Sequence, residues 1–545
     1  MASKKTTKSN TPRLRLTVRH ALADLYVLLM FTFFPIFLSS FYSAARRDKF
    51  WVFLILTCIA GVSVGIISIV DAFSKNSAYN QKLNTYRDPF RISATDIAFA
   101  AFLLISLIST LTSGRIAHCM MGLSESNSGR NMGLITIALL FAGYMVISRF
   151  FFFKKYIFYG IFAGITVVSF LAILNYYYID PLEIFEAYKN SSNYETVLKD
   201  FTSTIGNKNY LSAFICVALP FSIGVAITSN NLVTKIIAYA STGLQFMGLI
   251  VATSDGGFLG FLFMLIMLFI LVCRNPKVLS KFFFALAVMS ASAKILRLFD
   301  VIMQEKSKGY TSFSALFLKG PLCYILFVVC ASLAVIMYFI SKKTQNKLFP
   351  KPVMYIFIGL FGLGVVGVIA LIVNYTFINT EETLSGFKRF FRFDEYWGTH
   401  RGYFWIRTFD VFKDEMNFWQ KLFGTGPDTY FYSFKSFFPE LSKKFGESST
   451  NSAHNVYLNN LVTHGILGLA AYLALVISSV VLTVKRAKFN PLALVCFCVI
   501  VTYAAQDFVN IANAVNVPLY FIFIALSEST LLKANSAEHL AEEKY

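Results

Sequence analysis

The stretch NSAHNVYLNNLVTHGILGLAAYLALVISSVVLTV, residues 451–484, begins polar, carries two of the chain's six histidines, and then becomes an unbroken apolar run. As a helix, the part from Gly465 to Val484 is long enough to cross roughly 30 Å of hydrocarbon. WVFLILTCIAGVSVGIISIV (51–70) and GLGVVGVIALIV (362–373) with its flanks read the same way. The whole chain is 56% hydrophobic and 14% charged, whereas a soluble globular chain is about a quarter charged. In lipid a backbone must satisfy its own hydrogen bonds, and helices do so. The fold class is therefore an all-α polytopic membrane protein with a large extracytoplasmic helical loop.

Hydropathy and length give about fourteen spans, near 22–43, 51–73, 95–113, 131–150, 156–176, 210–228, 235–253, 256–273, 282–299, 320–340, 352–375, 464–484, 492–506 and 515–533. The formal net charge of +20 does not point to nucleic acid, because the basic residues punctuate the gaps between apolar runs instead of forming a basic domain. Pairing the spans in order puts Lys154 and Lys155, Arg274 and Lys277, Lys342 and Lys343, and Lys485, Arg486 and Lys488 on one side. Lys82, Arg87 and the basic tail of residues 1–21 join them, so both termini are expected in the cytoplasm, as is the tail 534–545. Arg46, Arg47 and Lys49, and the stretch Lys294–Lys308, break the pattern. The cysteines lie mostly in or beside apolar runs, with no disulfide or metal spacing.

Two polar stretches fall on the outer side. Residues 177–209 are acidic and read as a solvated amphipathic helix on the membrane. Residues 376–463 form the largest water-exposed segment. Its many aromatic residues mark it as folded, since disordered segments lack them. HRGYFWIRTFDVFKDEM (400–416) has near-helical apolar spacing, with Arg401 and Trp405 one turn apart and Thr408 continuing the face. FGTGPDTYF (423–431) breaks it with Gly424, Gly426 and Pro427. A second helix follows behind the capping residues Ser449 to Ser452, and Gly465 bends it into the span 464–484.

This order resembles the O-antigen ligase and polysaccharide polymerase superfamily of bacterial membrane glycosyltransferases: Arg-x₃-Trp on a helix, then GTGPDTYF, then AHNVYLNNLVTHGILGLAAYL (453–473) running into a span. GNKNYLSAFICVALPF (206–221) and ATSDGGFLGFLFML (252–265) fit the family's upstream segments. The resemblance implies transfer of a glycan from a polyprenyl diphosphate to an acceptor hydroxyl, glycan or lipid, at the outer face of the cytoplasmic membrane. It implies no metal and no cofactor. Carried over, Arg401 holds the diphosphate and His454 is the base or orienting group, with Lys208, Arg407, Trp405 and Asn455 as substrate-binding candidates.

The residue chemistry agrees. Guanidinium grips diphosphate oxygens bidentately, and imidazole accepts a proton near neutral pH. Asp255 stands where the family usually has arginine, so another outer cation (Lys208, Arg407, Lys294 or Arg297) must substitute or the donor must sit differently. The competing reading is a flippase of lipid-linked oligosaccharide, which should carry its charges within the spans. Bland readings remain for each residue: Arg401 in a surface ion pair, His454 at a helix start, His400 facing solvent, and His464 structural at the membrane boundary.

Overall fold

The computed structural model describes residues 18–39, 45–73, 92–122, 130–152, 154–192, 194–303, 306–379, 386–488 and 490–529; residues 1–17 of the basic tail, the tail 534–545, Lys82 and Arg87 lie outside them, while residues 18–21 of that tail already belong to the first helix. Eleven of the described helices are long and apolar enough to span a bilayer. Three shorter apolar helices, Val18–Thr32, Leu134–Phe150 and Val517–Ser529, pack into the same bundle. The chain is thus an all-α multi-pass membrane protein. The first helix stops at Thr32, well before the expected limit near 43, because Pro35 follows and cannot donate a helical hydrogen bond.

Burial sorts the helices into centre and rim. Lys208–Thr228 is buried continuously from Leu211 to Ile227, and Val517–Ser529 is buried throughout. Gly224 lets Lys208–Thr228 cross Pro491–Gln506 closely: an added Cβ there would come within 2.9 Å of the Val495 Cα. At the rim, Lys351–Val373 has no buried residue. An all-round apolar helix of that kind matches lipid.

The connections alternate between two faces, as the pairing of spans requires. On one face, Thr204 Oγ1 donates to the Pro35 carbonyl (2.6 Å) and Ser254 Oγ to Asn209 Oδ1 (2.8 Å). There too Asn510 Nδ2 donates to the Asn209 carbonyl (3.3 Å) and the Ala514 N–H to that of Arg130 (3.1 Å). On the other face, Ser93 Oγ donates to Glu528 Oε1 (3.0 Å) and Arg274 Nε to the Phe349 carbonyl (2.9 Å). By the alternation of the spans, the helix ends that carry or adjoin Lys154, Arg274, Lys342, Lys343 and Lys485 belong to this second face. The first face carries both long polar stretches.

Residues 177–209 do not form the single amphipathic helix expected of them. They fold into a short turn Glu186–Tyr188, a helix Tyr194–Asp200 and a two-residue antiparallel pairing of Phe201–Thr202 with Gly206–Asn207. Ile184, Phe185 and Val197 bury a small core beneath them. Lys308 fixes the segment from outside by donating to the Phe201 carbonyl (2.5 Å) and Thr202 Oγ1 (3.2 Å). Tertiary contacts, not helical periodicity, decide this stretch.

The large loop has its own core of Tyr403, Phe404, Val411, Met416, Tyr430, Phe434, Leu441, Ala453 and Val462. The second helix and the span behind it are one helical run, Val456–Arg486, broken at Gly465 (φ 69°, ψ −173°). That break frees carbonyls just upstream, and the glycine turn uses them. Thr425 N donates to the Val462 carbonyl and Gly426 N to that of Thr463, both at 3.0 Å. The approach needs bare α-carbons on both sides: a Cβ on Gly424 would lie 2.2 Å from the Thr463 oxygen, and one on Gly465 2.3 Å from that of Leu422.

Candidate active site at the membrane surface

Three consecutive residues in left-handed conformation, Gly398, Thr399 and His400, precede the regular turns that begin at Arg401. This tight lead-in aims the Arg401 side chain at the bundle. Its Nε donates to the Val509 carbonyl (3.0 Å) and Nη1 to that of Gly398 (2.7 Å). Nη2 has no hydrogen-bond partner among the described residues. Burial works against the guanidinium charge and lowers its pKa, while the nearby Asp255 carboxylate works the other way.

Phe404, three residues along the helix, stacks on the His454 imidazole with ring centres 5.3 Å apart. The arginine helix and the histidine therefore meet on one face. His454 itself is left-handed (φ 50°), and its backbone N–H donates to Ser452 Oγ (3.2 Å). Neither ring nitrogen is hydrogen-bonded among the described residues. Burial first, then the charges of Arg401 and Arg130, push its pKa down to about 3. The imidazole is neutral at physiological pH. Because its folded pKa lies below the ordinary 6.5, the unfolded chain binds the extra proton first, so this residue's stabilising contribution is intact above about pH 6.5 and is lost as pH falls toward 3. In NMR of histidine-labelled, donor-free protein, the His454 resonance is expected to stay flat from pH 5 to 8. A titration centred near 6.5 would place the ring in open water, away from both arginines.

Arg130 is the group that sequence reasoning missed. It forms a buried ion pair with Asp428 of the glycine turn, the side chains being 2% and 0% exposed. Its Nη1 also reaches Asn459 Oδ1 (3.3 Å). The signal was available: an arginine in an outer connection runs against the basic pattern of the other face. Thr253, Thr399, His400, Asp428 and His454 are all non-glycine residues with positive φ. Strain of this kind gathers at functional sites, where surrounding structure over-determines it.

Behind the site lies a chamber of about 50 Å³ lined in part by Arg130, His464, Tyr472 and Asp507. Thr463 Oγ1 gives its one hydrogen to the Asn459 carbonyl (2.8 Å), so it accepts from His464 Nδ1 (2.9 Å). His464 Nε2 is then an acceptor without a partner among the described residues, as Arg130 Nε is a donor without one among them. Tyr472 donates to Asp507 Oδ2 (3.0 Å). The rest of the wall is apolar, including Phe102, Leu140, Val456 and Phe521, so these polar groups stand in a mostly apolar chamber.

The remaining candidates are engaged elsewhere. Lys208 pairs with Asp200 (2.9 Å). Arg407 is held by Asp410, Glu395 and Glu440 at 2.9, 3.3 and 2.9 Å. These contacts raise its pKa, and the Glu440 carboxyl falls to about 2, chiefly through its hydrogen bond with Arg407. Lys294 donates to the carbonyls of Leu318 (3.0 Å) and Gly320 (2.7 Å), and Arg297 pairs with Asp300. The four cations considered as substitutes for an arginine at 255 are thus committed; the second cation near His454 is Arg130. Asn455 caps its helix, accepting from Tyr457 N (3.0 Å) and Leu458 N (3.1 Å). Trp405 packs on Trp397 and Phe393, with ring centres 5.1 and 6.0 Å away. His400 faces Glu447 (3.0 Å). Among the described residues, no three His, Cys, Asp or Glu side chains converge as metal ligands would.

Fold and site together define a multi-pass membrane protein with an arginine–histidine centre where its largest loop meets the bundle. Residues 310–473 match the family model described as O-antigen ligase. That segment holds Arg401, the glycine turn and His454, and the match supports a membrane glycan-transferring enzyme similar to the O-antigen ligases. No curated protein matches the chain.

Proposed function

We propose that the protein is a glycosyltransferase of the bacterial cytoplasmic membrane. It takes a glycan carried on a polyprenyl diphosphate and joins it to an acceptor hydroxyl, glycan or lipid, on the outer side. The observation that carries this reading is the pairing of a neutral imidazole, His454, with a guanidinium, Arg401, where neither the ring nitrogens nor Nη2 has a hydrogen-bond partner among the described residues. Sidedness rests on the basic face: its lysines and arginines mark the cytoplasm, so the face bearing the site is outer and both termini are cytoplasmic.

The acceptor oxygen attacks the anomeric carbon as the bond from that carbon to the diphosphate oxygen breaks, which inverts the centre. The bonding pair leaves with the diphosphate, and Arg401 holds the charge that develops there. The acceptor proton passes to His454. A ring whose pKa is about 3 is a poor base in the empty site. Diphosphate bound at Arg401 offsets the positive field, so the donor itself raises the basicity of the imidazole when it is needed. No metal enters this scheme. An apolar cleft of about 800 Å³ between Asp255–Val272 and Lys351–Val373, with Leu259 one turn below Asp255, fits the donor's lipid chain.

The test is transfer by purified protein in nanodiscs, supplied with lipid-linked glycan and acceptor extracted from a strain lacking this chain. Release of polyprenyl diphosphate together with a new glycosidic bond is expected. Movement of intact donor across the bilayer without bond formation would replace this reading with a flippase. The glycans of that strain assign the reaction type: shortened chains mean polymerase, and accumulated lipid-linked polymer means ligase.

A further inference from the structure

Against the glycine turn lies a second, polar pocket of about 160 Å³. Its walls come from three places: Arg115 beyond the helix Ala94–Thr112, Glu415 and Gln420 before the turn, and Thr425, Tyr432 and Ser433 in and after it. Thr425, Thr429 and Ser433 satisfy one another (Thr425 to Thr429 2.7 Å, Ser433 to Thr425 3.0 Å), so they form a rigid floor. The rim is different. The Arg115 guanidinium lies over the Tyr432 ring at 4.6 Å and makes no side-chain hydrogen bond or ion pair among the described residues. Gln420 uses Oε1 to accept from Asn417 N (3.0 Å), which leaves its NH₂. Glu415 uses Oε1 to accept from Ser436 (2.7 Å), which leaves Oε2. The Tyr432 hydroxyl is also uncommitted among the described residues.

We infer that this pocket is a sugar-binding subsite that takes one pyranose residue of a glycan. Its charges balance, one guanidinium against one carboxylate, so it has no preference for a diphosphate. Its lining is too polar for a lipid chain. What it offers is planar donors and acceptors around an aromatic ring, a set that matches a neutral polyhydroxylated ring with hydroxyls at its edge and C–H bonds on its face. The pocket and the reaction centre share the turn 424–429: Thr425 and Thr429 line the pocket, while Asp428 points back to Arg130. A glycan passing over this turn would place one residue in the pocket while another is held at His454. This role in register rests on the function proposed above; sugar binding does not.

The experiment is saturation-transfer NMR on the full chain in nanodiscs, with oligosaccharides made by partial hydrolysis of the host's own envelope polysaccharide. Binding by the wild-type protein is expected, weakened roughly tenfold or more in Arg115→Ala and Tyr432→Ala, as for loss of one hydrogen bond to a charged group or of its ring platform. Glu415→Gln keeps the shape of the rim and should weaken binding less than Arg115→Ala. Tyr432 is 36% exposed, so its replacement leaves the loop core intact. No saturation transfer to wild type, or equal transfer to both alanine variants, overturns the subsite. So does inorganic pyrophosphate binding that Arg115→Ala abolishes, which would make the pocket an anion site. Sugar binding by a protein that fails the transfer assay would keep the subsite and remove only the enzymatic reading.

Discussion

Replacing His454 with alanine is expected to slow glycan transfer by roughly 10²–10⁴-fold, the usual worth of a positioned general base. The imidazole has no structural hydrogen bond to lose: its ring nitrogens are uncommitted among the described residues, and it stacks on Phe404. The variant should therefore stay folded and still bind donor. Arg401→Ala should act differently. Loss of a preorganised cation from the leaving group costs roughly 10²–10³-fold in rate, and donor affinity should fall with it. Arg401→Lys should not restore activity, because an ammonium can neither span the Val509 and Gly398 carbonyls nor keep a planar fork toward the diphosphate. Single-turnover transfer and separate donor titration resolve the two effects. If both alanine variants transfer at the wild-type rate, the reaction centre is elsewhere.

Arg130→Ala is expected to destabilise the protein by about 3–5 kcal/mol, because it leaves the Asp428 carboxylate buried without its cation. Asp428 is 0% exposed on its side chain and left-handed at φ 59°. Asparagine tolerates that conformation and carries no charge, so Arg130→Met combined with Asp428→Asn should recover most of the loss. Denaturation of the single and double variants in detergent measures the coupling. A second readout belongs to Arg130 alone. Its charge helps hold down the His454 pKa, so the double variant should titrate His454 at higher pH than wild type. An unchanged titration would confine Arg130 to a structural role. Equal stability of Arg130→Ala and wild type would mean that the ion pair does not anchor the turn.

Arg401, His454 and the two glycine breaks were legible in sequence because each is a local signal. Helical spacing puts Arg401 on a face, and a glycine among apolar residues marks a turn or kink. That Gly424 and Gly465 exist to press against each other was not legible, since their contact joins segments some forty residues apart (Thr425 to Val462). Nor was Arg130, whose partner Asp428 lies about three hundred residues away. Lys208 and Arg407 looked like free outer cations because sequence does not show which carboxylates reach them. Residues 177–209 misled for a related reason: their charge pattern suits a surface helix, but Lys308 and a small apolar core hold them in turns.

Sequence by itself determined the membrane class and the run of spans, and it named the candidate residues Arg401 and His454. The class and the spans follow from hydrocarbon thickness and backbone hydrogen bonding, which act on each segment independently. Only the tertiary structure decided which charges are spent: that Arg401 Nη2 has no partner among the described residues, that Asp255 lies near it, and that His454 is neutral near two arginines. Electrostatic fields and desolvation depend on distances across the fold, and no local pattern of residues encodes them.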